Sequence, residues 1–377
     1  MRSILNLLAI ETSCDETAAA VVAETGDPAR PWSIRSNIVA SQHAIHREWG
    51  GVVPELASRQ HVRDICGVVE AALDEAGLAF GDLGALAVTQ GPGLVGSLLV
   101  GVSYAKSVAW ARGLPIVPVH HLAGHIESLV LAHGELPLPA AVLVVSGGHT
   151  SLYVVSQPGS YRLIGRTRDD AAGEAYDKVA KLLGLGYPGG PIVDALARAG
   201  NDRAWDFPAA RLTHADRNDP RATAAGILPA EIARQTDFSF SGLKTAVLRL
   251  VREKTGRAAA GPAASADGAG AALTRQEIAD ICASFQRVVI GSLLDRTFDA
   301  AGWLGARSVG IAGGVSANSR LRADAGTRGL RAGLPVFVPP LALSTDNAAM
   351  IGAAGLRKLR AGFAGSLDFN AEASLTL

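Results

Sequence analysis

The feature that most constrains how this chain can fold is a pattern that occurs twice: an apolar run, a short polar or glycine-rich turn, then a second apolar run. Near the start, Leu5–Ile10 is apolar, Glu11-Thr12-Ser13-Cys14-Asp15-Glu16 is polar, and Ala18–Val22 is apolar again. In the second half, Ala140–Val145 leads into Ser146-Gly147-Gly148-His149-Thr150 and then Ser151–Val155. Each reads as strand, turn, strand. Around these openings, strands and helices alternate. Helical signals fill His61 to Ala76, Ala85–Thr89 reads as a strand, and Gly91-Pro92-Gly93 opens a long helix through Trp110. Pro115–Val119 is another strand, with a helix starting near His120; later, Ser308–Ala312 is a strand, followed by Gly313-Gly314 and a helix from near Ser316. Strands alternating with helices predict an α/β fold. Two openings, one per half, predict two related lobes facing a shared cleft. The 377 residues leave room for two lobes at ~100–200 residues per domain.

Composition supports a real core: hydrophobic residues make up 48% and charged residues 19%, against about 25% charged on average. Lys+Arg and Asp+Glu both number 35, so the net charge is zero. A protein that grips nucleic acid alone usually carries a basic excess, so any RNA contact must come from a local patch or from partners. Cys14, Cys66 and Cys282 include no Cys-x-x-Cys pair. That sparse, odd set suits a reducing compartment rather than a disulfide framework, and each cysteine is expected to be a small buried residue. The apolar N-terminal run stops at Glu11 without a small-x-small cleavage site, so it reads as a first strand. The stretch Gly84 to Ala105 is broken by Thr89-Gln90-Gly91-Pro92-Gly93, so no membrane span is expected and the default location is the cytoplasm. Arg257 to Ala272, rich in Ala, Gly, Pro and Ser, is expected to be a flexible surface loop. Asp216 to Arg234 also reads as irregular, with Asp219-Pro220 as a turn signal.

The sharpest cluster is His120-His121-Leu122-Ala123-Gly124-His125, in a chain with nine histidines. On a helix, positions i and i+4 share a face, so His121 and His125 could bind one metal; the alternative is a histidine cap and a core histidine. A zincin peptidase carries Glu beside its first histidine as the general base, whereas position 122 here is Leu. Two histidines need a further ligand. Asp346, in Ser344-Thr345-Asp346-Asn347, is the best late candidate, although on local grounds it reads as a helix N-cap. Ser146-Gly147-Gly148, Gly189-Gly190-Pro191 and Gly313-Gly314 are glycine turns that let backbone N–H groups approach phosphate oxygens. Asn318 could reach a ribose or base from a helix start. The P-loop and Gly-x-Gly-x-x-Gly fingerprints are absent. Asp170, Glu174 and Asp177 fall at helical spacing and are expected to share a face. They form either a solvated acidic stripe or, with Asp194 nearby, a set of acceptors for substrate hydroxyls.

Nine segments together resemble one family, the TsaD/Gcp tRNA threonylcarbamoyladenosine synthases of the actin-like ATPase and sugar kinase superfamily. They are IETSCDET (10–17), GGVVPELASR (50–59), GPGLVGSLLVG (91–101), VHHLAGH (119–125), VSGGHT (145–150), DDAAGEAYDKVAKLLGLGYPGGP (169–191), DFSFSGLKT (237–245), AGGVSAN (312–318) and STDNAAM (344–350). They run nearly from end to end. The resemblance implies two RNase-H-like lobes around a central nucleotide cleft, an N-terminal one of residues 1–136 plus 346–377 and a C-terminal one of 137–345. It implies that His121, His125 and Asp346 hold one divalent metal, Fe2+ or Zn2+. It places Asp15 and Glu16 in a catalytic turn, and Val144, Val145, Ser146, Gly147, Gly148, Asp177, Gly190, Asp194 and Asn318 along the nucleotide and substrate cleft. The implied reaction transfers the threonylcarbamoyl group of threonylcarbamoyl-AMP to N6 of adenosine 37, in tRNAs reading codons that begin with adenine, and releases AMP. The implied partners are the tRNA anticodon loop, a paralogous metal-free subunit and a small P-loop ATPase. A metallopeptidase, a small-molecule kinase and a non-catalytic scaffold of the same fold are the competing readings. The first lacks its Glu, the second needs no paired histidines, and the third would lack His121, His125 and Asp346.

Overall fold

A computed structural model describes residues 5–209, 235–256 and 273–377 of the chain. The expected loop at 257–272 and the irregular stretch at 216–234 lie outside the described residues. Two five-stranded sheets organise the molecule. The first is built from β1 (Asn6–Glu11), β2 (Glu16–Glu24), β3 (Trp32–Ser41), β4 (Ala85–Gly91) and β5 (Ile116–His120), in the order β3-β2-β1-β4-β5. The second is built from β6 (Ala140–Val145), β7 (Thr150–Gln157), β8 (Ser160–Arg166), β9 (Ser308–Ala312) and β10 (Val336–Phe337), in the order β10-β9-β6-β7-β8. Read from the other edge, the second order is the first repeated. In each sheet the first three strands form an antiparallel meander and the last two join in parallel. The two strand–turn–strand openings thus found the two sheets.

The central strands are covered on both faces, which is why they read as unbroken apolar runs. Successive side chains of a strand point to opposite faces. Leu7 and Ala9 of β1 therefore enter one core while Leu8 and Ile10 enter another. In β6, Ala141, Leu143 and Val145 face one core and Ala140, Val142 and Val144 the other. On the first sheet, the outer face packs on α2 (Pro54–Ala76) and α3 (Val95–Arg112), beyond the short α1 (His43–Arg47). On the second, the outer face packs on α5 (Ala172–Leu182), α6 (Gly189–Ala197), α7 (Ser241–Thr255) and α8 (Arg275–Trp303). The helix α4 (His121–His133) lies between the two inner faces. Its Ala123 and Val130 join the core of the first sheet, and Leu122, Ile126 and Leu129 join that of the second. A helix sandwiched in this way has no solvated stripe. After α9 (Ser319–Ala332) and α10 (Leu341–Ser344), the chain returns to the first sheet as α11 (Ala348–Arg360), whose buried face packs on β1, β2, β4, β5 and α4.

Several sequence expectations need correcting. The second helix begins at Pro54, ahead of His61, because proline at the first helical position forfeits no hydrogen bond. Residues Gly314–Ala317 form a 3₁₀ turn, and the helix proper starts at Ser319. Strand β3 carried no clear signal: Ser33, Arg35, Ser36 and Asn37 interrupt its apolar residues, as suits a strand at a sheet edge. Cys66 is exposed rather than buried, since it lies off the α2 face formed by His61, Ile65, Val68, Val69 and Ala72. Among the described residues no helix is long and apolar enough to cross a membrane.

Candidate metal centre and cleft

His121 is the first residue of α4 and His125 follows one turn later, so both imidazoles project from one face. His120, the cap, accepts a hydrogen bond on Nδ1 from the Leu122 N–H at 3.1 Å. This frees His121 from capping. Asp346 is freed in the same way. The helix α11 is capped by Asn347, whose Oδ1 accepts from the Met350 N–H at 3.1 Å, so the local N-cap reading of Asp346 is one residue off. The Asp346 carboxylate turns instead to the histidines: Oδ1 lies 3.2 Å from His125 Nε2 and 3.5 Å from His121 Nε2. What brings the two helices so close is Gly124. A Cβ there would sit 2.8 Å from Ile351 Cδ1 and 3.1 Å from Met350 Cγ.

These donors fit a metal ion. Zinc-type bonds to nitrogen and oxygen of about 2.0–2.1 Å put tetrahedral ligands about 3.3 Å apart, close to both separations. His125 is fully buried, and neither ring nitrogen makes a hydrogen bond among the described residues. A buried polar group left this way costs about 1–3 kcal/mol, and ligation of a cation removes that cost. Electrostatics agree. Burial opposes charge on His121, but the Asp346 and Glu11 carboxylates outweigh it and push the imidazole up to about 9. Burial and the neighbouring His121 hold His125 down. Burial would raise Asp346, yet the two histidines keep its carboxyl well below the ordinary range. The pocket therefore favours positive charge and offers one neutral imidazole.

A fourth residue, Glu11, completes this arrangement and was missed as a site residue although it lies within the first polar turn. It is buried at the end of β1 and its Oε2 accepts from His121 Nδ1 at 3.1 Å. The same carboxylate accepts from Thr89 Oγ1 at 2.6 Å and from the Ser13 N–H at 2.5 Å. A proton held on Nδ1 would leave Nε2, the nitrogen that faces Asp346, as the one to ligate a metal, the role of an outer carboxylate in metal–histidine sites.

The turn continues into Asp15 and Glu16, both buried. The Cys14 carbonyl is within 3.0 Å of His61 Nε2, and His61 Nδ1 is within 2.8 Å of Thr17 Oγ1, which ties the turn to α2. Burial, reinforced by Asp15 and Asp346 and partly offset by His43, pushes Glu16 up to about 8. Burial raises the Asp177 carboxyl, the Gly189 and Gly190 N–H groups oppose the rise, and the charge of Asp15 adds to it. Asp177 Oδ1 accepts from the Gly189 N–H at 2.7 Å, holding the Gly189-Gly190 turn at the start of α6. The expected acidic face of Asp170, Glu174 and Asp177 does not form. The helix starts only at Ala172, and Lys178 bridges Asp170 at 2.6 Å and Glu174 at 2.8 Å.

In the second sheet, Val144 and Val145 bury their side chains in opposite cores, so only their backbone can meet a ligand. The Ser146 side chain accepts from the His149 N–H at 3.1 Å, closing the turn. Gly147 and Gly148 are exposed, and their N–H groups donate to no acceptor among the described residues. Gly173 sits so close beneath the turn that a Cβ would meet the Ser146 carbonyl at 2.6 Å. His149, also missed, lies with its ring centroid 6.4 Å from that of His121; burial and the His121 charge push it down to about 4. Asp194 and Asn318 stand together around α9. The Asp194 carboxylate accepts from Ser319 Oγ at 2.9 Å and Gln286 Nε2 at 3.2 Å. Asn318 caps the Leu321 N–H at 3.0 Å and donates to Gln286 Oε1 at 2.8 Å. The structure thus gathers His121, His125 and Asp346 into one cluster and Asp15 and Glu16 into a neighbouring one. Asp194 and Asn318 form a separate network on the second sheet's side.

Comparison with known proteins points to one family. The model of the family described as "TsaD: tRNA N6-adenosine threonylcarbamoyltransferase" matches residues 33–353. A protein named tRNA N6-adenosine threonylcarbamoyltransferase from Moorella thermoacetica is 51% identical over 99% of this chain and 97% of its own length. One of the same name from Koribacter versatilis is 46% identical over 98% of both chains. Among solved structures, full-length HypF in its phosphate- and nucleotide-bound form has the same fold over 96% of this chain and 56% of that one, with a TM-score of 0.54 at 14% identity.

Proposed function

The chain belongs to the TsaD family of tRNA N6-adenosine threonylcarbamoyltransferases, and from that premise we propose a specific reaction: transfer of the threonylcarbamoyl group from threonylcarbamoyl-AMP to N6 of adenosine 37, in tRNAs reading codons that begin with adenine, with AMP released. The observation that carries the reading is the convergence of His121, His125 and Asp346, with neither His125 ring nitrogen hydrogen-bonded among the described residues of the buried pocket. In this reading these three residues hold one divalent ion, Fe2+ in first place and Zn2+ second. When bound, it supplies Lewis-acid polarisation of a carbonyl or phosphoryl oxygen.

The chain's own groups do the rest. Glu11 fixes the tautomer of His121. The free N–H groups of Gly147 and Gly148 take the negative charge that builds up on the carbonyl oxygen or the departing phosphate. Val144, Val145 and Ser146 carry that turn; Asp177, Gly190, Asp194 and Asn318 bound the nucleotide. Asp15 and Glu16 are the catalytic carboxylates. Adjacent and buried, they resist carrying two negative charges at once, and a positively charged group beside them relieves that resistance. As the N6–carbonyl bond forms, the carbonyl–phosphate bond breaks, AMP leaves with the electron pair, and N6 sheds one proton. The target adenosine lies in an anticodon loop, where unstacked bases are accessible.

A net charge of zero gives no overall attraction for RNA. We therefore assign much of the tRNA grip to partners, a paralogous metal-free subunit and a small P-loop ATPase, and place the reaction in the cytoplasm. Residues 1–136 plus 346–377 and 137–345 are the two lobes of this reading. Purified threonylcarbamoyl-AMP, the chain with these partners, and unmodified tRNA provide the test. AMP released in a tRNA-dependent manner should match the modified nucleoside one for one. Transfer that proceeds from another donor but not from the adenylate would refute the substrate assignment.

A further inference from the structure

A second cluster of ligating side chains lies on the same turn, outside the His121 centre. Strand β2 opens at Glu16, which pairs with Ser41 at the end of β3, and the Gln42 N–H donates to the Asp15 carbonyl at 3.0 Å. That register forces the next residue, His43, to sit over the two carboxylates. His43 Nε2 lies 3.2 Å from Glu16 Oε1 and 3.7 Å from Asp15 Oδ2. One ligand atom from each of the three lies within 4.8 Å of the others. Independently of that grouping, Asp15 Oδ2 has no hydrogen-bond partner among the described residues, although its side chain is only 9% exposed.

We propose that Asp15, Glu16 and His43 form a second divalent-cation site. Two carboxylates and one imidazole suit Zn2+ or Mn2+ better than Mg2+ or Ca2+, which favour all-oxygen shells. The histidine–carboxylate separations lie near the ~3.3 Å expected between two ligands of one such ion. A cation also answers the charge problem of the turn: burial, together with Asp15 and Asp346, resists ionisation of Glu16, and His43 offsets only part of it. His43 is 44% exposed, so the outer side of the site is open to water or to an anionic oxygen such as a phosphate. The site stands on these three residues alone, and its failure would leave the transferase reading untouched.

The test counts bound metal. Chelator-stripped chain is reloaded with Zn2+, or in parallel with Mn2+, desalted, and analysed by inductively coupled plasma mass spectrometry, with circular dichroism confirming the fold. Wild type should hold two ions per chain, and His43→Ala one. The paired variant His121→Ala/His125→Ala should also hold one, and that ion should vanish when His43→Ala is added. His43 is half-exposed, so its truncation should leave the fold intact; His43→Asn is the conservative check. One ion in both wild type and His43→Ala overturns the proposal, as do two ions in both, which would place the second elsewhere.

Discussion

At the scale of single residues, the proposed metal site should depend on Glu11 as much as on His121, His125 and Asp346. Glu11 fixes which nitrogen of His121 carries the proton. Glu11→Gln keeps an oxygen acceptor but loses the charge, and loss of such an outer carboxylate typically lowers metal affinity 10–100-fold. Competition with a chromophoric chelator should show a loss of about that size, with little change in folding. Glu16 gives a pH prediction. Its folded pKa is raised from 4.5 to about 8, so the folded state holds a proton that the unfolded state has already released. In the cation-free protein, stability therefore falls as pH rises from 4.5 towards about 8, then levels off. Denaturation midpoints of Glu16→Gln should lack this fall and should meet wild type below pH 4.5. A fall of equal size in both proteins would show that Glu16 is not its source. At this scale the sequence was informative where chemistry is local: paired histidines at helical spacing are visible in a string. The role of Asp346 was obscured because Asp is a good cap, and only the structure shows Asn347 taking that role.

At the scale of elements, the centre is a contact between two helices, α4 and α11, and Gly124 sets their distance. Gly124→Val would press a branched side chain against Met350 and Ile351. Overpacking of this kind costs about 1–3 kcal/mol. Because α11 begins just after Asp346, the same displacement should weaken metal binding. Gly124→Ala is the control. Its methyl meets the end of Ile351 and the Cγ of Met350, so Ile351 must shift, but the clash is smaller than that of valine and is partly offset by about 1 kcal/mol of helix propensity that alanine gains over glycine. Thermal melts and metal titration of both variants would check this; equal affinity in Gly124→Val and wild type would mean that Asp346 is placed by other contacts. Element types were readable wherever burial is two-sided, as in β1, β4, β6 and β9. The edge strand β3 was not, because a half-solvated strand with Ser, Arg and Asn leaves no clean alternation. The contact that makes the site joins segments far apart in the chain, and no periodicity reports such a contact.

At the scale of the whole molecule, two sheets of the same strand order enclose a helix that belongs to both cores. The candidate metal ligands at that helix's N-terminal end therefore sit beside the first polar turn and near His149 of the second. The repeat of strand–turn–strand foreshadowed this architecture. Which turn residues meet across the cleft was decided by how the sheets close on α4, which sequence alone does not encode in readable form. In the proposed reaction, transfer runs through the His121, His125 and Asp346 centre. The direct measurement is mass spectrometry of nucleosides from unmodified tRNA incubated with the reconstituted system, comparing wild type with His125→Ala. Wild type should give threonylcarbamoyladenosine and the variant none, with fold and tRNA binding preserved. Product from His125→Ala at the wild-type level would contradict that route.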